Sequence, residues 1–435
     1  MMNGKIKLST ISLALVSQFT LLGNAYALDG ITDNDSLEIK TRTIFFDREY
    51  NDTPDKDSNT LAQALELNYK SGKVSDWFKV GLSAYGVANI NSTGTDNAPG
   101  IMPDDPNDEN NVESAFGKIG QAYIEVLPTE GLSLKLGYQK TKQMFFSTST
   151  SRAIPSSFRG LTGSYQALDS VKVYGYAFDQ WSGRNSDEWT DFTADTDGPQ
   201  IDLIWGVGAQ FKQGKFSADV EYMVSDEYLE KFGLRASYVD TIGQGKLKLS
   251  GGYFTSSDNG VLFAESGDKN IDGIESNDGS VWFLDADYKI YAFSIGVAFS
   301  QTGEIWIEDN YKGDHGSNPL PTRAPIGPDF TNANESVWLG RVGVDFGKLN
   351  SSFDGLTTKI TYAKGTDIEN AADPSKGEAE EKFFAIDTRY KLPMVKGLSL
   401  RYLYADYQST EIGSVQGVKG DNVDHRVYMD YSFKF

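Results

Sequence analysis

The sequence predicts an all-β fold: a closed, antiparallel, up-and-down transmembrane β-barrel of eighteen strands, with long external loops and short periplasmic turns. Three observations carry this expectation. Apolar and polar residues alternate along runs of about ten residues bounded by turn residues. The connections between those runs alternate long and short. No stretch reaches the ~18 consecutive apolar residues of a membrane helix, yet Phe 25, Tyr 23, Trp 7 and Gly 44 crowd a chain that is only 39% hydrophobic. A soluble globule of this length would show long apolar runs or helical periodicity, and neither occurs.

The N-terminus sets the compartment. Lys5 and Lys7 precede an apolar run over 11–22, and Ala25-Tyr26-Ala27 offers small residues at a cleavage site. That order reads as a cleaved secretory signal over 1–27, leaving 28–435 as one barrel domain in a Gram-negative outer membrane. There are no cysteines, so stability must come from closed backbone hydrogen bonding and a lipid-facing belt. A formal charge of −21 argues against nucleic acid as a partner. The acids cluster between strands, as expected of solvated external loops. Outer-membrane lipid and lipopolysaccharide are the expected surroundings, and no cofactor or metal is expected.

Strands are expected to begin near Leu37, Leu61, Trp77, Lys118, Leu132, Gly160, Val171, Ile201 and Phe216. The second half continues from Phe232, Lys246, Val281, Tyr291, Val337, Leu356, Phe383, Leu398 and Arg426. The last is the clearest. Val427, Met429, Tyr431, Phe433 and Phe435 alternate with a set that holds Arg426, Asp430, Ser432 and Lys434, so one face suits hydrocarbon and the other water. A terminal Phe435 resembles the signal read by barrel-assembly machinery. Aromatic girdle positions are expected at Tyr69, Trp77, Tyr138, Tyr165, Trp205, Tyr238, Tyr288, Tyr291, Tyr390 and Tyr402, near strand ends.

The odd-numbered connections are long: 51–60, 89–117, 141–159, 181–200, 255–280, 301–336, 365–382 and 408–425. Even ones such as 71–73, 128–131, 167–170, 213–215 and 240–245 are short. Strict alternation suits a barrel with tight turns on one side; a sandwich has no reason to sort loops by parity. Each unpaired backbone group in hydrocarbon costs several kcal/mol, so the sheet must close on itself. At this strand number a lumen remains.

Applying the alternation strand by strand places Arg42, Arg235, Arg341, Lys359, Arg389 and Arg401 on the inner face. Asp345 and Asp387 share that face. A row of inward cations attracts anionic groups. The structural alternative is that each cation is paired with a neighbouring carboxylate such as Asp345 or Asp387 and only stiffens the wall.

Three stretches resemble the OprD-type substrate-specific outer-membrane porins. They are the opening strand over 37–48, the segment Gly131-Leu132-Ser133-Leu134-Lys135-Leu136-Gly137-Tyr138-Gln139, and the run Ser151-Arg152-Ala153-Ile154-Pro155-Ser156-Ser157-Phe158-Arg159-Gly160-Leu161. The last is similar to that family's Ser-Arg-x-x-Pro-x-x-Phe-x-Gly element. Where relatives carry Arg-Leu-x-Pro this chain reads Arg-Ala-Ile-Pro, which leaves loop packing and pore width open. The resemblance implies an eighteen-stranded barrel, monomeric or loosely oligomeric, with loop 141–159 folded inward as a constriction. It implies passive, partly selective diffusion of small hydrophilic solutes, carboxylate-bearing ones such as amino acids or organic acids foremost. Sugars, including chitin oligosaccharides, are the alternative within the family. Carried over by position, Arg42 and Arg152 join the basic lining, Arg159 is a plausible addition, and Ser147, Ser149 and Ser151 supply hydroxyls at the eyelet.

Two other classes remain. A barrel enzyme needs a base, and only His315 and His425 exist, neither in a catalytic motif. An adhesin or calcium-binding loop is suggested by Asp268-x-Asn270-x-Asp272-Gly273, but Gly279 stands where the bidentate Glu belongs.

Overall fold

The computed structural model describes residues 34–51, 57–93, 100–105, 107–194, 198–266, 277–304, 306, 318–370, 374–410 and 420–435. The expected signal segment, the calcium-like motif at 268–273 and His315 lie outside these residues. Eighteen strands build the wall. They are β1 (Ser36–Tyr50), β2 (Ser58–Lys70), β3 (Phe78–Thr93), β4 (Ala115–Thr129), β5 (Leu132–Gln139) and β6 (Ser157–Leu168). Next come β7 (Val171–Ser182), β8 (Ile204–Gln213), β9 (Phe216–Ser225), β10 (Leu229–Ile242), β11 (Gly245–Asp258) and β12 (Asp278–Ile290). The last six are β13 (Phe293–Thr302), β14 (Ser336–Asp345), β15 (Leu356–Glu369), β16 (Glu378–Lys391), β17 (Leu398–Ser409) and β18 (Asn422–Lys434).

Each strand pairs antiparallel with its chain neighbours, and β1 pairs with β18 from Glu38↔Lys434 to Tyr50↔Asn422. Closure leaves the wall without an edge, as hydrocarbon demands. The outer face carries exposed Leu136, Ile295, Leu284, Trp338 and Val427, and girdle residues Trp77, Tyr165, Tyr291 and Tyr402 are exposed with them. Strand starts fall close to those read from alternation. The largest shifts are at β16, which begins at Glu378 rather than near Phe383, and β18, which begins at Asn422. Both strands rise beyond the apolar belt on polar residues, where alternation gives no signal.

The connection pattern departs from strict alternation at two places. Connection 226–228, on the long-loop side, is a tight turn, because segment 259–262 caps it: Asn259 N–H donates to Tyr228 O and Leu262 N–H to Glu227 O. Connection 346–355, on the short-turn side, holds a helical turn α1 (Phe346–Leu349) and a 3-10 turn at Ser351–Phe353. Ile201, read as the start of β8, instead pairs within the loop as Gln200–Ile201 against Phe192 and Thr193, and is fully buried.

The lumen is not left empty toward the loops. Inward apolar side chains meet loop residues in three clusters. Met144, Phe145 and Phe146 pack with Phe158, Phe178, Phe254 and Trp306. Ile101, Met102, Ala153 and Ile154 pack against Ile44, Phe46 and Tyr428 of the wall. Ala324 and Phe330 of segment 318–335 pack against Phe383, Leu403 and Tyr407. Loop burial against an inner wall that alternation alone assigns to water is the main feature that strand periodicity misses.

Candidate functional site

Segment 140–156 runs across the lumen. Its own polar side chains fold it. Thr141 N–H donates to Thr148 Oγ1 at 3.0 Å, Ser149 N–H to Ser156 Oγ at 2.9 Å, and Ser147 Oγ–H to Gln143 O at 2.7 Å. Ser147, expected at the eyelet, is therefore spent inside the loop. One end of the segment docks on β9, where Met144 and Phe145 N–H groups donate to the Glu221 carboxylate at 2.7 and 3.1 Å. The other end reaches β1, where Arg42 Nη1 donates to Arg152 O at 2.7 Å and Thr150 O at 3.2 Å. β1 and β9 stand about half a circumference apart in the strand order, so the segment forms a chord.

At the β1 end guanidiniums gather. Arg42 holds Asp430 through Nε at 2.6 Å. Arg48 and Arg426 both grip Asp424, at 2.7 Å each. Arg152 lies over the Phe46 ring at 5.3 Å and donates to Ser151 Oγ at 3.2 Å. Arg184 donates to Ser149 Oγ at 3.0 Å and Ser151 Oγ at 3.1 Å. The two hydroxyls lie 3.2 Å apart. Dense enclosure, then the charges of Arg184, Arg426 and Arg48, push the Arg152 pKa down from the ordinary arginine value. Arginine does not lose its proton in a protein, so the side chain stays a cation there.

Arg42, Arg152, Ser149 and Ser151 are thus brought together. Arg48, Arg184 and Arg426 were not named as lining cations from the sequence, although Arg426 was placed in the water-facing set of the last strand. The first and last share the inward parity of Arg42 and Asp430 and were legible on that ground; Arg184 sits in a loop without periodicity and left no signal.

Further round the wall, Arg389 and Arg401 share one carboxylate: Asp387 accepts from Arg401 Nε at 2.8 Å and from Arg389 Nη2 at 2.9 Å. Arg341 does not use Asp345. It reaches two strands across to Asp285 and Asp287 on β12. Gly296 on the intervening strand makes this possible, since a Cβ there would lie 2.3 Å from Asp287 Oδ1 and 2.6 Å from Arg341 Nε. Arg235 donates to Asp219 at 2.7 Å. Lys359 faces Asp387 in register but makes no ion pair among the described residues.

Arg159 lies apart. It faces Tyr138 in register, on the parity of exposed Leu161, while Phe158 on the other parity is fully buried in the lumen cluster. It pairs with Asp179 at 2.7 Å on the outer face, where the bulge leaves Asp179 between Phe178 and Gln180 without a register partner. His425 is also outward, its Nδ1 2.9 Å from Tyr402 Oη. No cluster of metal-ligating side chains occurs among the described residues.

A family model described as outer membrane porin, OprD family, matches residues 29–435. No curated protein matches the chain. Among solved structures, Pseudomonas aeruginosa OccK9 (OpdG) aligns at a TM-score of 0.80 with 19% identity, covering 94% of this chain and 100% of that one. Acinetobacter baumannii OccAB1 aligns at 0.80 with 18% identity, covering 94% and 98%. Pseudomonas aeruginosa OpdK, solved with vanillate, aligns at 0.78 with 18% identity, covering 93% and 100%. At these identities the likeness shows the fold.

Proposed function

We propose, for a chain that belongs to the OprD family of outer membrane porins, that the pore favours small hydrophilic solutes carrying a carboxylate. Segment 140–156 is the constriction in this reading. The observation that carries it is the group of Ser149 and Ser151 hydroxyls held between Arg152 and Arg184 at the loop's β1 end. Hydroxyl donors and planar guanidiniums match a carboxylate's two oxygens. Below the loop the wall arginines take over. Each is already held by an aspartate, so an incoming carboxylate competes for a donor that is partly occupied. Binding is then weak enough to release, which passage requires. Vanillate, the ligand of the OpdK structure, is an aromatic carboxylate and fits the same chemistry. Passage is passive and needs no nucleotide.

A second reading, permeation of neutral sugars, is favoured by the same ion pairs, because paired charges leave a dipolar wall rather than a net field. Swelling of liposomes holding the protein separates the two. Amino acids and organic acids are expected to enter severalfold faster than oligosaccharides of similar size. Equal or reversed rates would contradict the carboxylate reading and favour the sugar one.

A further inference from the structure

We propose that Glu221 is a positioning residue, the fixed point at the β9 end that, with the β1 contacts at the other, sets where segment 140–156 crosses the lumen and hence where Ser149, Ser151 and Arg152 stand. This rests on the reading of that segment as the constriction. Glu221 projects inward from β9, yet it is fully buried. Its carboxylate has four donors. Oε2 accepts from Met144 N–H at 2.7 Å and Tyr174 Oη–H at 2.8 Å; Oε1 accepts from Phe145 N–H at 3.1 Å and Tyr176 Oη–H at 2.8 Å. A buried charge is tolerated only when its lone pairs are met, and these are met two per oxygen.

The wall is shaped for this. Tyr174 and Tyr176 reach Glu221 by lying across β8 at Gly206 and Gly208. A Cβ at Gly206 would lie 2.5 Å from the Tyr176 ring, and one at Gly208 2.4 Å from the Tyr174 ring. Two tyrosines, two glycines and one glutamate on three adjacent strands thus converge on two consecutive backbone amides. Beside them, Phe146 stacks within 5.7 Å of Tyr176 and 5.3 Å of Phe178, so the docked end also buries apolar surface. The opposite end is seated differently: Arg42 donates to the Thr150 and Arg152 carbonyls and Ala153 and Ile154 are buried against Ile44 and Phe46, with no buried carboxylate there, and Thr150 and Ser151 stay exposed.

Glu221→Gln tests the assignment with little change in size. The tyrosine hydroxyls can turn to accept, but the two loop amides cannot. Whichever way the glutamine lies, its NH2 meets an N–H that has lost its acceptor. The readout is single-channel current of the full-length protein in planar bilayers. It is paired with labelling of Thr150→Cys by a water-soluble thiol reagent, in a chain whose natural cysteine count is zero. Glu221→Gln is expected to raise conductance and open-channel noise, to accelerate labelling of position 150 severalfold, and to leave the barrel's melting transition in place. Tyr174→Phe with Tyr176→Phe keeps both loop amides on the carboxylate and is expected to give a smaller change of the same sign. This pair carries the test if the Gln variant fails to assemble. Wild-type conductance and labelling in an assembled variant would overturn the proposal. Replacing 148–152 with glycines separates the two readings: unchanged conductance there means that the constriction reading itself fails. A rise there, without one in Glu221→Gln, means that only the anchor fails.

Discussion

Two stretches of the inner wall use cations in opposite ways. From β14 round to β1, Arg341, Arg389, Arg401, Arg426, Arg42 and Arg48 are each bound to an aspartate. From β7 to β12, Lys172, Lys212, Lys246, Lys248 and Lys289 share the inward parity of Tyr174, Gly208, Phe254 and Asp287, near the short turns. None of these lysines has a carboxylate partner among the described residues, whereas Arg235, the arginine of the same stretch, is held by Asp219. The difference follows from side-chain geometry. A guanidinium offers a planar fork that holds a carboxylate bidentately, while an ammonium is a compact, strongly hydrated charge that loses little by staying in water. The arginine wall is therefore a braced surface with a modest net field, and the lysine wall an unbraced one whose field extends into the lumen until salt screens it.

The largest expected effect breaks the brace. Arg341→Gln leaves Asp285 and Asp287 facing each other without their cation, and Asp285 is buried. A loss of about 2 kcal/mol is expected, below the ~3–5 kcal/mol of a fully buried pair because Asp287 is part-exposed. Thermal unfolding in detergent measures it, and Lys248→Gln as the control should leave the transition unmoved. Next, Asp387→Asn frees Arg389 and Arg401 together, so the anion-to-cation permeability ratio should rise severalfold. An unchanged ratio would mean that the arginines do not face permeating ions. Smaller again, Lys212→Gln with Lys248→Gln should lower that ratio at low salt and lose its effect near 1 M, where the Debye length falls to about 3 Å.

The smallest effect concerns pH. Glu335, at the end of segment 318–335, is fully buried. Burial first, then the neighbouring Glu381 carboxylate, raises its pKa well above the ordinary carboxylate value. Asn332 Nδ2 bridges both acids at 2.9 and 3.2 Å, and Tyr407 Oη–H donates to Glu381. With the folded pKa raised, the stabilisation is complete below the ordinary carboxylate pKa and is lost as pH climbs through the raised value. Melting temperature should therefore decline from acid toward alkaline pH, and Glu335→Gln should flatten that slope. A slope unchanged in the variant would remove Glu335 as its source.

The sequence discloses the wall well because lipid on one side and water on the other write a period of two into every strand. The inner parity of Arg42, Arg235, Arg341, Lys359, Arg389 and Arg401 followed from it. Partners followed only in part: Asp387 holds Arg389 and Arg401, but Arg341 bypasses Asp345 on its own strand for Asp285 and Asp287, a choice opened by Gly296 directly across from it on the intervening strand. Arg159, suggested by the resemblance and not by alternation, follows the rule and falls on the outward parity of Leu161. Loops are the least legible part. Phe146 and Ile101 carry no periodicity, and a polar run such as 147–151 reads the same whether its serines face solute or, like Ser147, close a turn. Nothing in the sequence sets Glu221 apart from other inward polar residues, because its four donors come from β7 and from the loop.

Reversal potential in a salt gradient, compared between the natural chain and Arg152→Gln with Arg184→Gln, tests the account most directly. A marked shift toward cation preference is expected, with conductance near its natural value, since the loop's seat on Glu221 is untouched. A reversal potential that does not move would contradict it, for the charges at the end of the chord would then not govern what passes.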